Sequence, residues 1–207
     1  MRIIAAVIGV LLFGASGQAC AETMRFAITR NGDQIGTHSI QINRAGSEIS
    51  VNIATDLVVK VLFVTAYRFQ HTESERWVNG RLVALDSTTD NNGTRHQVSI
   101  VTKASGLEME ADGKASRVDR NIIPASLWNP ELMRRSVMLD TQDGDIVPLS
   151  VVDQGMEELA IEARVVKAHH YTIKSRFSQD VWYDEQQHLV QAKLIGRDGS
   201  VILYKPI

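Results

Sequence analysis

Eight short turn signals divide this chain into segments of alternating apolar and polar residues, and few folds satisfy both features. The signals are Asn31-Gly32-Asp33, Ala45-Gly46-Ser47, Asn79-Gly80, Asn91-Asn92-Gly93, Ser105-Gly106, Asp112-Gly113, Asp143-Gly144-Asp145 and Asp198-Gly199. Glycine and asparagine supply the positive φ of tight hairpins, and period-two alternation turns one face of a strand to a core and the other to water. The pattern predicts a mainly all-β fold: a strongly curved antiparallel sheet or incomplete barrel with one short helical insertion.

The longest alternation runs Val51, Ile53, Thr55, Leu57, Val59, Val61, Phe63, Thr65, Tyr67, Phe69. As one strand it would exceed ~60 Å, so a bend or break is expected between Leu57 and Thr65. There Val58, Leu62 and Val64 make both faces apolar, which predicts sheet on one side and a cover of loop, helix or ligand on the other. The helical insertion starts at Asn129, a good N-cap, followed by Pro130 and Glu131, with Leu132 to Ser136 completing a turn or two. Segments Glu157–Val166, Tyr171–Phe177, Val181–Tyr183, Leu189–Ile195 and Val201–Tyr204 then read as hairpin-linked strands.

The N-terminus is an export signal in pattern. Arg2 gives a positive start, Ile3–Phe13 an apolar run, and Ala19-Cys20-Ala21 an A-x-A cleavage site. The run is too short to span a bilayer, which takes ~20 helical residues. Residues 1–21 are therefore expected to be a removable leader and 22–207 a single curved-sheet domain, periplasmic or secreted, with no transmembrane anchor in the mature chain. The alternative is a lipoprotein acylated on Cys20, but Gly17, Gln18 and Ala19 lack the aliphatic residue such signals place three positions before the cysteine. Cleavage after Ala21 removes the chain's one cysteine, so stability must come from a packed core, for which 44% hydrophobic residues suffice.

Beyond residue 21 there are 21 basic and 24 acidic residues, a balance of −3, which gives no reason to expect nucleic acid as a partner. No G-x-S-x-G motif marks a serine nucleophile, and no Gly-rich loop precedes a helix. His38 and Ser39, like His169 and His170, are strand neighbours that diverge to opposite faces. His71, Glu73 and Glu75 share a face and form the best ligand-like cluster, open to a metal or acid–base role or to the blander reading of an exposed polar strand edge. The tryptophans Trp77, Trp128 and Trp182 each sit beside a turn. They read as core lids whose N–H reaches a backbone carbonyl, or as walls of an apolar or carbohydrate-binding groove.

In order along the chain stand His71-x-x-x-Glu75-x-Trp77-x-x-Gly80-Arg81-Leu82, Thr89-Asp90-x-Asn92-Gly93, Pro124-x-Ser126-x-Trp128-Asn129-Pro130, Asp140-Thr141-Gln142-x-Gly144, Trp182-Tyr183-Asp184 and Asp198-Gly199-Ser200-x-Ile202-x-Tyr204. This set resembles an exported bacterial family catalogued as domain of unknown function 6134. One departure is Gln187, where the glycine of a tight Asp-x-x-Gly turn is expected. The resemblance implies export and an all-β fold, and it carries no activity, cofactor or catalytic residue.

Two functional expectations follow. The first is a non-enzymatic module enclosing a lipid or acyl chain inside its curved sheet, by analogy with lipoprotein carriers and lipocalin-like proteins, with Val59, Val61, Phe63, Tyr67, Trp128 and Trp182 as lining. The second is an envelope accessory enzyme or protein-interaction module with a polar site built from His71, Glu75, Trp128, Asn129, Thr141 and Gln142. Convergence of those polar groups would support a site; separate turns would make them structural caps. No metal or cofactor is expected in either case.

Overall fold

The computed structural model describes residues 20–161, 164–196 and 198–207; the expected leader lies outside them except for Cys20 and Ala21. Eight strands come first: β1 (Cys20–Arg30), β2 (Asp33–Ala45), β3 (Glu48–Val61), β4 (Val64–Val78), β5 (Arg81–Asn91), β6 (Thr94–Lys103), β7 (Gly106–Ala111) and β8 (Lys114–Val118). Residues 119–149 then leave the sheet, carrying a 3₁₀ helix (Pro130–Arg134) and a small hairpin of β9 (Val137–Leu139) and β10 (Ile146–Pro148). The chain returns as β11 (Ser150–Ile161), β12 (Arg164–Lys174), β13 (Ser178–Asp184), β14 (Leu189–Ile195) and β15 (Val201–Pro206).

Thirteen strands form one antiparallel sheet in the order β11-β12-β13-β14-β15-β1-β2-β3-β4-β5-β6-β7-β8. Pairing of β1 with β15, from Phe26↔Pro206 to Arg30↔Ile202, joins the two halves of the chain. Strands β11 and β8 remain at the edges, so the sheet curls without closing into a barrel. Alternation decides its faces: on β3, Val51, Ile53 and Thr55 are buried while Asn52, Ala54 and Asp56 are exposed.

Residues 119–149 fill the inner side. Ile122, Ile123, Trp128, Leu132, Met138, Leu139, Val147 and Leu149 share one core with Phe26, Ile40, Ile42, Ile53, Leu85 and Ile100 of the N-terminal strands and Ile173 and Val181 of the C-terminal ones. Gly144 marks the closest approach: its φ is +83°, and a Cβ there would lie 2.6 Å from that of Ala111. Arg176, in the β12–β13 turn, fastens the same stretch by ion pairs to Asp140, Asp143 and Asp145. Asn129 caps the 3₁₀ helix as its sequence predicts, its side chain accepting from the Glu131 N–H at 3.1 Å.

Three local expectations change. The long alternation does break in the expected interval, by reversing at Leu62-Phe63, but its middle is uncovered. Glu157–Val166 is the meeting of two strands, with Ile161 paired to Arg164; no glycine or asparagine announces the reversal. Gln187 takes the glycine's place without changing the turn, adopting φ +67° while His188 and Asp184 close it.

Candidate functional site

Two regions of the β3–β4 hairpin depart from the ordinary rule of apolar inside and polar outside. The first is a polar row in the core. Odd-numbered residues of β4 face inward, which places His71, Glu73, Glu75 and Trp77 side by side, all buried. This overturns the exposed-edge reading of His71, Glu73 and Glu75. Strand β4 lies inside the sheet, and the segment that covers its inner face comes from residues 53 to 68 positions downstream, which no local pattern reveals.

Hydrogen bonds order the row. The indole N–H groups of Trp77 and Trp128 both donate to Glu75 Oε2, at 2.5 and 2.8 Å, and the two rings meet edge to face. Glu73 Oε2 accepts from the Thr141 hydroxyl at 2.9 Å and contacts His71 Nε2 at 3.2 Å; His71 Nδ1 lies 2.9 Å from the Thr89 hydroxyl. The Ser87 hydroxyl donates to the Thr141 carbonyl at 2.6 Å, and Tyr183 donates to the Leu127 carbonyl at 2.7 Å. A parallel pair, His38 and Thr55, sits two strands away at 2.8 Å. These bonds pin the covering segment to the sheet.

Burial sets the charges. Loss of water raises the pKa of Glu73, and raises that of Glu75 further because the neighbouring Glu73 carboxyl repels a second negative charge. Glu73 Oε1 and Glu75 Oε1 have no hydrogen-bond partner among the described residues, and burial pushes both carboxyls, Glu75 the more, toward the protonated neutral form. Ser126 Oγ lies beside Glu75 without a well-formed bond. Desolvation lowers His38 and His71 to about 4, so His71 is neutral: it donates from Nε2 to Glu73 and accepts at Nδ1 from Thr89. The contact between His71 and Glu73 is thus a hydrogen bond rather than an ion pair.

The remaining polar candidates separate. Asn129 is a helix cap, and Gln142 is exposed, its backbone N–H closing a turn on Asp140. Trp128, His71 and Glu75 converge, joined by Glu73, Ser87, Thr89 and Thr141. The spacing-two series Ser87, Thr89 on β5 is the signal that could have found the last strand partners. The tryptophan N–H groups reach carboxylates, not backbone carbonyls; Trp182 donates to Glu157 and stacks on His170 at 4.4 Å. On the opposite face of the sheet, exposed Asn52, Thr72, Ser74, Asp86, Thr88 and Gln97 line a shallow polar groove of about 630 Å³.

The second region is the hairpin's far end. The last β2–β3 pair is Gly36↔Leu57 and the last β4–β5 pair is Phe69↔Asn91, so residues 58–68 form a two-stranded ribbon that extends beyond both neighbours. Tyr67 donates to the Asn91 side chain at 2.7 Å and the Arg68 carbonyl accepts from the Asn92 N–H at 2.8 Å, bracing the base. At the tip Val61, Leu62, Phe63 and Val64 are 55, 87, 100 and 69% exposed. Val61 and Phe63 are therefore exposed and line no interior, Val59 and Tyr67 are half-buried, and Trp128 and Trp182 are buried elsewhere in the molecule. The enclosed arrangement fails because the covering segment already fills the space within the curved sheet.

Leu62 and Phe63 have φ of +49° and +70°. Asn31-Gly32, Asn79-Gly80, Asn92-Gly93 and Asp112-Gly113 adopt the same pair of positive angles. Four turns use residues suited to that conformation, and one uses two bulky apolar residues that resist it at roughly 1–2 kcal/mol each.

The profile of a family described as a domain of unknown function, DUF6134, matches residues 26–207. The chain belongs to the DUF6134 family. No curated protein matches the sequence. Among solved structures it is similar to a β-barrel-like protein of domain of unknown function DUF1849 from Brucella abortus, with a TM-score of 0.64, 8% identity, and coverage of 89% of this chain and 94% of that one. That likeness extends the curled-sheet architecture of the DUF6134 chain to a second family. No described helix is long and apolar enough to cross a membrane.

Proposed function

We propose that this DUF6134 protein is exported to the periplasm or secreted, cleaved after Ala21, and acts without catalysis by engaging an apolar ligand of the lipid or acyl type. The exposed apolar tip of the β3–β4 hairpin carries the reading: it holds Leu62 and Phe63 in water in a conformation that both resist. The ligand meets the outside of the molecule, because the inner side is packed. Cleavage after Ala21 shortens β1 by two residues and leaves its pairing from Glu22 onward in place.

The alternative, an envelope accessory enzyme or interaction module at the polar cluster, has the convergence of Trp128, His71, Glu75 and Thr141 in its favour. Against it, Glu73 and Glu75 are sealed from solvent and their donors come from the covering segment, which suits a fastening. Native mass spectrometry of protein produced with its leader, combined with titration of delipidated protein by a fluorescent fatty acid, tests the proposal. A mass beginning at Glu22 and saturable probe binding are expected. A chain retaining residues 1–21, or acylated on Cys20, overturns the localisation; absence of probe binding overturns the ligand.

A further inference from the structure

The tip's partner can be named more closely from its charge and shape, granting the apolar-ligand reading above. We infer that the β3–β4 ribbon is a membrane-contact device whose partner is the surface of an anionic bilayer. From Leu57 to Phe69 the chain reads LVVKVLFVTAYRF: ten apolar residues, one threonine, and two charged residues, Lys60 and Arg68, both basic. Asp56 stands only at the base, 4.0 Å from Arg68 and bonded to Gln70. The feature is convex and narrow, a shape that a lipid surface accepts and that single acyl chains meet from outside.

Its dimensions suit shallow insertion. Phe63 lies five residue steps beyond Val58, so the tip stands roughly 15 Å beyond the Val58–Arg68 level, and interfacial elements typically sink about 5–10 Å into the headgroup and acyl boundary. Leu62 and Phe63 enter first, with Val61 and Val64 beside them. Lys60, one residue behind Val61, then lies at headgroup depth, its stem along the apolar ribbon and its ammonium against lipid phosphate. Arg68 and Tyr67 follow at the outer boundary, where cations and amphipathic rings are favoured. Pairing the ribbon to itself leaves no unsatisfied ladder beyond its two edges, and a tip of two residues minimises the backbone carried into the membrane.

The test is flotation of the purified protein with vesicles of phosphatidylcholine alone or mixed with phosphatidylglycerol. Binding to the mixed vesicles is expected, weaker by about tenfold without the anionic lipid and weakened likewise by Lys60→Glu, as expected for lysine and arginine at an anionic surface. The double variant Leu62→Asn/Phe63→Gly, which gives the tip the sequence of its sister turns, is expected to fold and to lose flotation. In Phe63→Trp, the added indole emission is expected to shift to the blue on mixing with vesicles. Equal flotation of the double variant, or equal binding to phosphatidylcholine alone, overturns the inference. Binding of the fatty acid probe without flotation overturns it too, yet leaves the ligand reading standing; failure of both removes both.

Discussion

The hairpin tip holds Leu62 and Phe63 in water, while further along the same strand β4 two carboxyls and an imidazole are held in the core. Both arrangements cost free energy, but they answer it differently. In the core the cost is largely met from within: two indole donors serve Glu75, a hydroxyl and an imidazole serve Glu73, and burial favours the uncharged carboxyls, while Glu73 Oε1, Glu75 Oε1 and Ser126 Oγ stay without a bond. At the tip nothing among the described residues offsets the exposure or the left-handed backbone. A compensated inversion points to internal architecture, here the fastening of residues 119–149 to the sheet. An uncompensated one points outward, to something the tip meets.

The largest way to break the comparison is at Glu75. Glu75→Ala leaves the Trp77 and Trp128 N–H groups buried without partners, and a loss of about 3–5 kcal/mol in urea-induced unfolding is expected. Glu75→Gln keeps an acceptor for the indoles and offers Glu73 an N–H, so it should stay within about 1 kcal/mol of the parent. If both variants are equally damaged, the proton on Glu75 is not what holds the pair.

At the tip the sign reverses. Leu62→Asn/Phe63→Gly is expected to raise stability by about 2 kcal/mol, since it relieves strain at two positive φ positions and removes no packed side chain. A fall in stability would mean that the tip is braced by the fold, and the contrast with the core would fail. Thr141→Val is expected to cost about 1 kcal/mol, because Glu73 keeps its bond from His71 when the hydroxyl is lost.

Much of this was legible in the sequence, for identifiable reasons. Asn-Gly and Asp-Gly turns and period-two alternation are local, so the meander, the break after Leu57 and the Asn129 cap could be read directly. The polar row could be seen as a same-face series, His71, Glu73, Glu75, Trp77, but not as a buried one: burial depends on Trp128 and Thr141, far along the chain. For the apolar middle the expected cover of loop, helix or ligand is neither loop nor helix among the described residues, because apolar residues on both faces fit a covered strand and a bare ribbon equally. Only the pairing register distinguishes them.

The smallest effect, and the one that reads the protonation of the two carboxyls most directly, is the pH profile of stability. Glu73 and Glu75 have raised values in the folded protein, so above their ordinary value of 4.5 the folded state holds more protons than the unfolded one. Their contribution is fully present below that value and is lost as pH rises through the raised ones. His38 and His71 act in the opposite sense: lowered from 6.5 to about 4, they must stay neutral in the fold, and stability falls as pH drops from 6.5 toward 4. The two trends oppose one another on the acid side, and as pH rises above 4.5 the carboxyl pair works toward a decline, together with Asp140, whose value burial also raises. Chemical denaturation on the rising-pH side should show a decline in the parent protein and a flatter profile in Glu75→Gln, with the histidine limb retained. An identical decline in both proteins would mean that Glu75 is not its source.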